Sequence, residues 1–374
     1  MKKVLILANH AITISLFRTE LIEAMINEGY EVYISSPYGE QLEYFIDLGC
    51  KFIETHVDRR GTNPKNDLKL LLKYNKILKD IRPNVVLTYT VKPNLYGGIA
   101  CRINKIPYIS NVTGLGSGFI NGGIIQNIVK LLSKISFRKA HRVMVQNSED
   151  LNILINNNLV LDDNYKLIPG SGVNLRKYTT LDFPDKEDPI EFNFIGRIMK
   201  DKGIDEFLEV AKSIKNKYPQ VVFNIIGMID QDEYKEIIEK YQKEGIIKYH
   251  GFQKNTIEFI KKSSCTINPS YAEGMSNVLL ESAACGRPII ASDIPGCKEI
   301  IINGINGYTF EVKNINKLYK CVEKFINLKY EEKVKMGIEG RKIVEEQFDR
   351  QIVVNTYIEE INKIDKKVIR EVSL

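Results

Sequence analysis

Short apolar runs alternate along nearly the whole chain with longer segments in which apolar positions recur every three or four residues. The first run, 3–8 (KVLILA), is continuous, the pattern of a strand buried on both faces of a parallel sheet. A helical pattern follows at 16–28 and stops at Gly29. The same alternation predicts strands at 31–35, 51–54, 84–88, 108–111 and 142–146, with helices at 41–48, 67–79, 94–103 and 124–138. A turn-rich stretch at 169–188, carrying Pro169, Gly170, Gly172 and Pro184, interrupts the pattern, which then restarts. Strands are predicted at 191–195, 221–226, 246–249, 265–268 and 288–291, and helices at 204–217, 232–243, 256–262, 277–285, 315–326 and 331–346. A long terminal helix is predicted at 349–370.

Strands that alternate with helices of this length build a parallel sheet with right-handed crossovers. The predicted fold is therefore α/β, with two Rossmann-like doubly wound domains, 1–180 and 181–348, facing across a cleft. The terminal segment 349–374 is expected to cross back to the first domain. In open α/β sheets ligands bind outside the carboxyl ends of the strands, where the strand order reverses. Chemistry is sought there.

Composition narrows the class. Of 374 residues, 44% are apolar and 27% charged, as in soluble globular chains. No run approaches the roughly 20 apolar residues that span a bilayer. The apolar run behind Lys2-Lys3 is too short for the core of a secretory signal. A cytoplasmic protein is expected, with peripheral attachment to the inner face of the cell membrane as a further expectation. The six cysteines (Cys50, Cys101, Cys265, Cys285, Cys297, Cys321) form no C-x-x-C pair and read as reduced thiols. The four histidines have no metal spacing, although His10, after the first strand, points toward the predicted cleft.

The net charge of +6 is unevenly shared: residues 1–180 carry 23 Lys+Arg against 15 Asp+Glu, and the remainder 30 against 32. That excess suits an anionic partner of the first half, a membrane surface or a pyrophosphate. A lysine-rich composition alone would produce it too. Within 127–142, Lys130, Lys134, Arg138 and Arg142 recur at i, i+4. This is either a basic helix lying on an anionic membrane or a core-facing helix with a solvated basic edge.

The segment richest in chemistry is 269–288, PSYAEGMSNVLLESAACGRP. A strand runs into a loop, Ser276 is placed to cap the helix 277–285, and Gly286 and Pro288 end it. The backbone N–H groups of Ser276, Asn277 and Val278, with the positive end of the helix dipole, are expected to form an anion site. Gly274 lets the backbone approach a ligand. Glu273 and Glu281 lie eight apart. Carboxylates beside a phosphate site make sense where they face hydroxyls, Glu273 those of a sugar and Glu281 those of a ribose. Alone, this spacing is more often two surface glutamates; the strand–loop–helix context favours the functional reading.

A second segment, FIGRIMKDKGID, places Gly196 and Arg197 directly after a strand and Lys202 before a helix. A planar guanidinium fork and a point charge together suit a diphosphate; a solvated basic loop is the plain alternative. GLGSG at 114–118 lies far from a first strand and lacks the spacing and acidic partner of a dinucleotide fingerprint, so it reads as a flexible loop.

Together, IGRIMKDKGID and EGMSNVLLESAACGRPII resemble the retaining family-4 glycosyltransferases of the GT-B fold, over the whole second domain. The resemblance implies that Arg197 and Lys202 bind the donor diphosphate, that Glu273 contacts the donor sugar and that Glu281 contacts the ribose. Gly196, Gly274, Met275, Ser276, Asn277 and Val278 belong to the same implied donor site. Gly227, and Phe252 of HGF, fall where such enzymes hold the nucleoside. In the first half, SLFRTELIEAM, RRGTNP, KPNLYGGIA and NVTGLGSGF are similar to the subgroup that extends lipid-linked oligosaccharides, among them N-acetylgalactosaminyltransferases acting on polyprenyl-diphosphate sugars and related capsule, O-antigen and N-glycan enzymes. That likeness implies that Arg18, Arg60, Lys92, Thr113, Gly114 and Gly116 face the acceptor or the donor phosphates. Many members carry a histidine after the fifth strand; Thr113 stands there in this chain, and the histidine's role is not carried over.

The implied reaction moves a hexose or N-acetylhexosamine from a nucleoside diphosphate sugar, UDP by the subgroup, to a polyprenyl-diphosphate-linked saccharide, with retained configuration. Glu273, Arg197 and Lys202 would carry the catalysis. Protein groups supply the phosphate ligands, so neither a metal nor a cofactor is expected, nor a nucleic-acid partner. Two rivals share the fold: a sugar-nucleotide epimerase, which needs no acceptor, and a non-catalytic sugar-nucleotide-binding protein. A nicotinamide dehydrogenase is disfavoured by the missing G-x-G-x-x-G after either first strand.

Overall fold

The computed structural model describes residues 2–58, 61, 63–115 and 123–372, the side chains of 366–372 excepted. It divides into two compact units, Met1–Ser171 with Arg350–Leu374, and Gly172–Asp349.

The first unit is built on seven strands: β1 Lys3–Leu7, β2 Glu31–Ser36, β3 Lys51–Glu54, β4 Val85–Tyr89, β5 Tyr108–Val112, β6 Arg142–Val145 and β7 Tyr165–Leu167. They are parallel, in the order β3-β2-β1-β4-β5-β6-β7, so the direction of winding reverses between β1 and β4. The pleat explains the unbroken apolar run of β1. Val4 and Ile6 enter one core, with Ile22, Met25 and Tyr357; Leu5 and Leu7 enter the other, with Tyr74, Leu78 and Val143.

The single helix predicted at 16–28 is instead two, Ala11–Phe17 and Thr19–Asn27. The first begins early because His10 Nδ1 accepts the N–H of Ile12 at 3.1 Å. Histidine is not a usual capping residue, so composition gives no warning of this start. Arg18 breaks the pair, with its guanidinium buried 4.3 Å from the centre of the Tyr89 ring. The alternation does not predict the helix Ser148–Asn156, β7, or the strand Gly307–Phe310 of the second unit.

The terminal helix Arg350–Val372 packs on the first unit. Arg350 Nη1 lies 3.0 Å from both carboxylate oxygens of Glu20, and Asp365 accepts from Lys2 Nζ and Tyr30 Oη, each at 2.7 Å. The nearly buried Glu360 accepts from Arg142 Nε at 3.0 Å and Lys363 Nζ at 2.7 Å.

The second unit has six parallel strands: β8 Glu191–Ile195, β9 Val222–Ile226, β10 Lys248–Tyr249, β11 Cys265–Asn268, β12 Ile289–Ser292 and β13 Gly307–Phe310. Their order is β10-β9-β8-β11-β12-β13, which reverses between β8 and β11. Its core is aromatic, with Phe192 stacked on Phe223 at 5.3 Å and Phe325 edge-on to Phe192 at 5.6 Å. The segment leading into β8 belongs to this unit. Val173 N–H donates to Phe348 O at 2.9 Å, and the fully buried Arg287 donates to the carbonyls of Leu181 and Asp182 at 3.1 and 2.6 Å. Burial pulls the Arg287 guanidinium down to about 10, which leaves it charged at neutral pH. All six cysteines are free thiols.

Candidate functional site

In the second unit the reversal of strand order sets two loops side by side, 196–203 after β8 and 269–276 after β11. Glycine permits their contact. Gly203 has φ +72°, and a Cβ there would stand 2.0 Å from Pro269 O. Tyr271 N–H then donates to Asp201 O at 2.9 Å.

Across this seam Lys202 Nζ meets Glu273 Oε1 at 2.6 Å. Ser270 Oγ lies 2.9 Å from the same carboxylate oxygen and 2.6 Å from Asn268 Oδ1. Asn268 Nδ2 in turn donates to Ser276 Oγ at 2.6 Å. The hydroxyl of Ser276 is thus taken up at the strand end. It sits at the start of the helix Asn277–Ala284 without making the expected side-chain cap.

Nor does the N–H of Ser276 point out of the helix, as expected, since it donates to Gly296 O at 2.8 Å. Of the expected anion site, Asn277 and Val278 remain, the first helical residues, whose N–H groups have no partner within the helix. Asn277 Oδ1 is buried beside them without a hydrogen bond.

Gly296 is a contributor the sequence pattern did not disclose. With φ +78°, its missing Cβ would lie 2.6 Å from Gly274 O and 2.9 Å from Glu273 O, so only glycine lets the turn after β12 support that peptide. The Met275 side chain is buried among Leu279, Ala283 and Cys297, which leaves its backbone for the site.

The edge toward β9 and β10 is lined by backbone. Gly227, φ +156°, donates its N–H to Gly251 O at 2.8 Å, and a Cβ on it would fall 1.7 Å from Gly196 O. Tyr249 Oη donates to Gly227 O at 3.1 Å. Phe252 follows, 65% exposed. Arg197 is exposed at the same edge, with Nη1 3.1 Å from Asp230 Oδ2.

Glu281 lies one turn into the helix, half-buried, with the hydroxyl of Tyr178 hydrogen-bonded to it. Burial first, and then this carboxylate, push the Tyr178 hydroxyl far above its ordinary range. Tyr178, before β8 in sequence, is a second residue the motifs did not mark.

The chain contains one Asp-x-Asp, Asp230-Gln231-Asp232. Asp230 pairs with Arg197, and Asp232 with Lys235 at 2.8 Å. Among the described residues no cluster of three or more His, Cys, Asp or Glu side chains is placed to hold a metal ion.

The first unit has its own reversal point, at the carboxyl ends of β1 and β4. There Asn9 Oδ1 and Thr90 Oγ1 are buried without hydrogen bonds, and Thr90 has φ +73°, a left-handed conformation that a β-branched residue rarely holds. Of the residues predicted for this unit, Arg18 is buried under Tyr89. Lys92 pairs with Asp67 at 2.7 Å, and Tyr96 Oη donates to the same carboxylate at 2.9 Å, beside a cavity of about 300 Å³ that His56 and Lys73 also line. Thr113 and Gly114, the latter at φ +125°, follow β5 and line a small recess with Thr90. Arg60 and Gly116 lie outside the described residues. His10 is a helix cap, as above.

Residues 3–147 match the family Glycosyl transferase 4-like, and residues 182–343 match Glycosyl transferases group 1. The chain is 28% identical over 370 residues to the N,N'-diacetylbacillosaminyl-diphospho-undecaprenol alpha-1,3-N-acetylgalactosaminyltransferase of Campylobacter jejuni, covering 94% of this chain and 96% of that one. It is 24% identical to the UDP-Gal:alpha-D-GlcNAc-diphosphoundecaprenol alpha-1,3-galactosyltransferase of Escherichia coli, over 80% of this chain and 81% of that one. Among solved structures, Anabaena HepE in complex with UDP and glucose superposes with a TM-score of 0.78 at 16% identity, covering 97% of this chain and all of that one, a likeness of fold. Two doubly wound parallel units in one chain, each matched along most of its length, are the GT-B fold, and the chain is a glycosyltransferase with a 4-like domain in its first unit and a group 1 domain in its second.

Proposed function

We propose that the chain transfers a hexose or N-acetylhexosamine from a UDP-sugar to a saccharide carried on polyprenyl diphosphate, with retention of configuration, in the assembly of a bacterial surface glycan. The observation that carries the reading is the Lys202–Glu273 pair at the strand-order reversal of the second unit, next to a helix start with open N–H groups. The names of the Campylobacter and Escherichia relatives support the acceptor class, and the UDP bound by Anabaena HepE supports the nucleotide.

In this mechanism the bond from the anomeric carbon to the diphosphate oxygen breaks and a bond from the same carbon to the acceptor oxygen forms. The acceptor proton passes to the departing diphosphate, which leaves from the face the acceptor enters. Lys202, Arg197 and the N–H groups of Asn277 and Val278 stand where negative charge grows on the leaving group, the placement that lowers a barrier most. Lys202 and Arg197 already hold carboxylates, Glu273 and Asp230, and the arriving diphosphate competes for them. Glu273 then has capacity for sugar hydroxyls, and Asn277 Oδ1 gains the donor it lacks. The nucleoside lies along the glycine-lined edge, with Phe252 offering a face to the base and Glu281 accepting from the ribose. These groups supply the phosphate neutralisation, and the reaction needs no metal.

The test is a panel of sugar nucleotides with a polyprenyl-diphosphate saccharide, beside Glu273→Ala, with the anomeric configuration of the product read by NMR. Transfer that retains configuration, survives chelator and falls by about a hundredfold or more in the variant supports the reading. Inverted product or absence of donor binding overturns it.

A further inference from the structure

The turn that follows β12 holds a carboxylate that local structure does not account for. Glu299, half-buried, accepts the N–H of Gly296 at Oε2, 2.7 Å away and three residues back. That spacing is how a glutamate closes a capping box at the start of a helix. Here no helix follows, because 295–300 continue as turns. The other oxygen, Glu299 Oε1, is buried and has no hydrogen-bond partner among the described residues. A buried acceptor left open is costly. A neutral side chain bonds the same N–H without burying a charge.

What the bond fixes lies at the candidate site. Gly296 is left-handed, φ +78°, and a Cβ there would meet the carbonyls of Gly274 and Glu273. Its own carbonyl accepts the N–H of Ser276 at 2.8 Å. Residues 273–276 therefore lie along this one turn, and Glu299 is the side chain that ties its N–H. The buried Cys297 thiol beside it feels the charges of Glu273, Lys202 and Glu299, so all three stand within electrostatic reach of one point.

We propose that Glu299 is a positioning residue for transfer: it holds the Gly296 turn, which fixes the 273–276 peptides and, through them, the direction in which the Glu273 carboxylate meets the donor sugar. The inference rests on the proposed role of Glu273, and one arm of its test needs no substrate.

Three variants separate the possibilities. Glu299→Ala removes the bond, Glu299→Asp keeps the charge but draws the oxygen back, and Glu299→Gln keeps an acceptor at the same reach. The alanine and aspartate variants should lose about tenfold in kcat, the weight of one hydrogen bond to a charged group, with KM for donor within about twofold of wild type. The glutamine variant should recover most of the rate. In a Glu273→Ala background the further loss should disappear, since a residue that works through Glu273 has nothing left to position. A role in packing alone would lower the melting temperature and leave kcat of the folded protein unchanged. Without substrate, amide exchange over 273–278 should speed up about tenfold in Glu299→Ala and return toward wild type in Glu299→Gln.

Any of four results overturns the proposal: alanine and aspartate variants as fast as wild type, a glutamine variant as slow as alanine, the same loss with Glu273 absent, or unchanged exchange over 273–278 in Glu299→Ala. A wild-type protein that transfers nothing while exchange responds as expected would instead overturn the proposed function and leave the hold of Glu299 on the turn standing.

Discussion

Lys202 Nζ stands 2.6 Å from Glu273 Oε1 and joins the loop after β8 to the loop after β11. The side chains keep 24% and 16% of their exposure, so the pair is partly screened and holds the fold only weakly. Under the proposed function its larger effect is on chemistry. Lys202→Ala and Glu273→Ala should each lower kcat by about 10²–10³-fold, as removal of a charge-stabilising group does, while unfolding free energy falls by about 1 kcal/mol. If the pair acts as a unit, the double variant should be no slower than the worse single one. Losses that multiply would show that the two residues act separately.

Gly227 lies under the same site. A methyl group there would fall 1.7 Å from Gly196 O, against backbone that cannot step aside without moving the end of β8. Gly227→Ala should lower stability by about 2 kcal/mol or more and weaken UDP binding by calorimetry. Wild-type UDP affinity in a folded Gly227→Ala protein would mean that the nucleotide does not use this edge.

The reversal-point loops were legible because each follows a buried strand and carries its glycine and charged residues within a few positions of the strand end. Contacts arriving from far along the chain were not. Ser276 has the composition of a cap, yet its hydroxyl is taken by Asn268 and its N–H by Gly296. Gly296 and Tyr178 reach the site from other segments and have no local signature. Periodicity predicts the helix Gly123–Phe137, as 124–138, but a period has no sign. It cannot say whether the isoleucines face inward or whether Ser133 and Ser136 do. The break falls at Arg18, whose guanidinium lies over the Tyr89 ring, a partner far away in sequence that no local pattern discloses.

Tyr178 hydrogen-bonds the Glu281 carboxylate, the group that accepts from the ribose under the proposed function. Tyr178→Phe removes one hydrogen bond to a charged group, about 1.5 kcal/mol or roughly tenfold. The expected result is a KM for donor raised about that much with kcat unchanged. A positioning role predicts more, namely that Tyr178→Phe and Glu281→Gln both reduce the preference for UDP over 2'-deoxy-UDP. Unchanged preference in both variants would move Glu281 away from the ribose.

His250 gives the second unit a pH dependence whose sign can be worked out. Its ring lies 4.9 Å from that of Phe259, with Nε2 2.9 Å from Asn224 Oδ1. Burial first, then Lys248, with a smaller push from Lys262, hold its pKa below 6.5, against an opposing pull from Glu191. In the unfolded chain the ring protonates near pH 6.5, whereas in the folded protein it resists until the pH is lower. Between those two values the unfolded state binds more protons, so stability falls as pH drops below about 6.5 and levels off beneath the folded pKa. Above about pH 7.5 the group contributes no slope. His250→Gln keeps a hydrogen-bonding side chain but removes the titration, and urea midpoints taken at about pH 7.5 and about pH 5.5 should fall less in the variant than in the wild type. Because every other titrating group is common to both proteins, equal falls would mean that the ring is as easily protonated in the folded unit as in the unfolded chain.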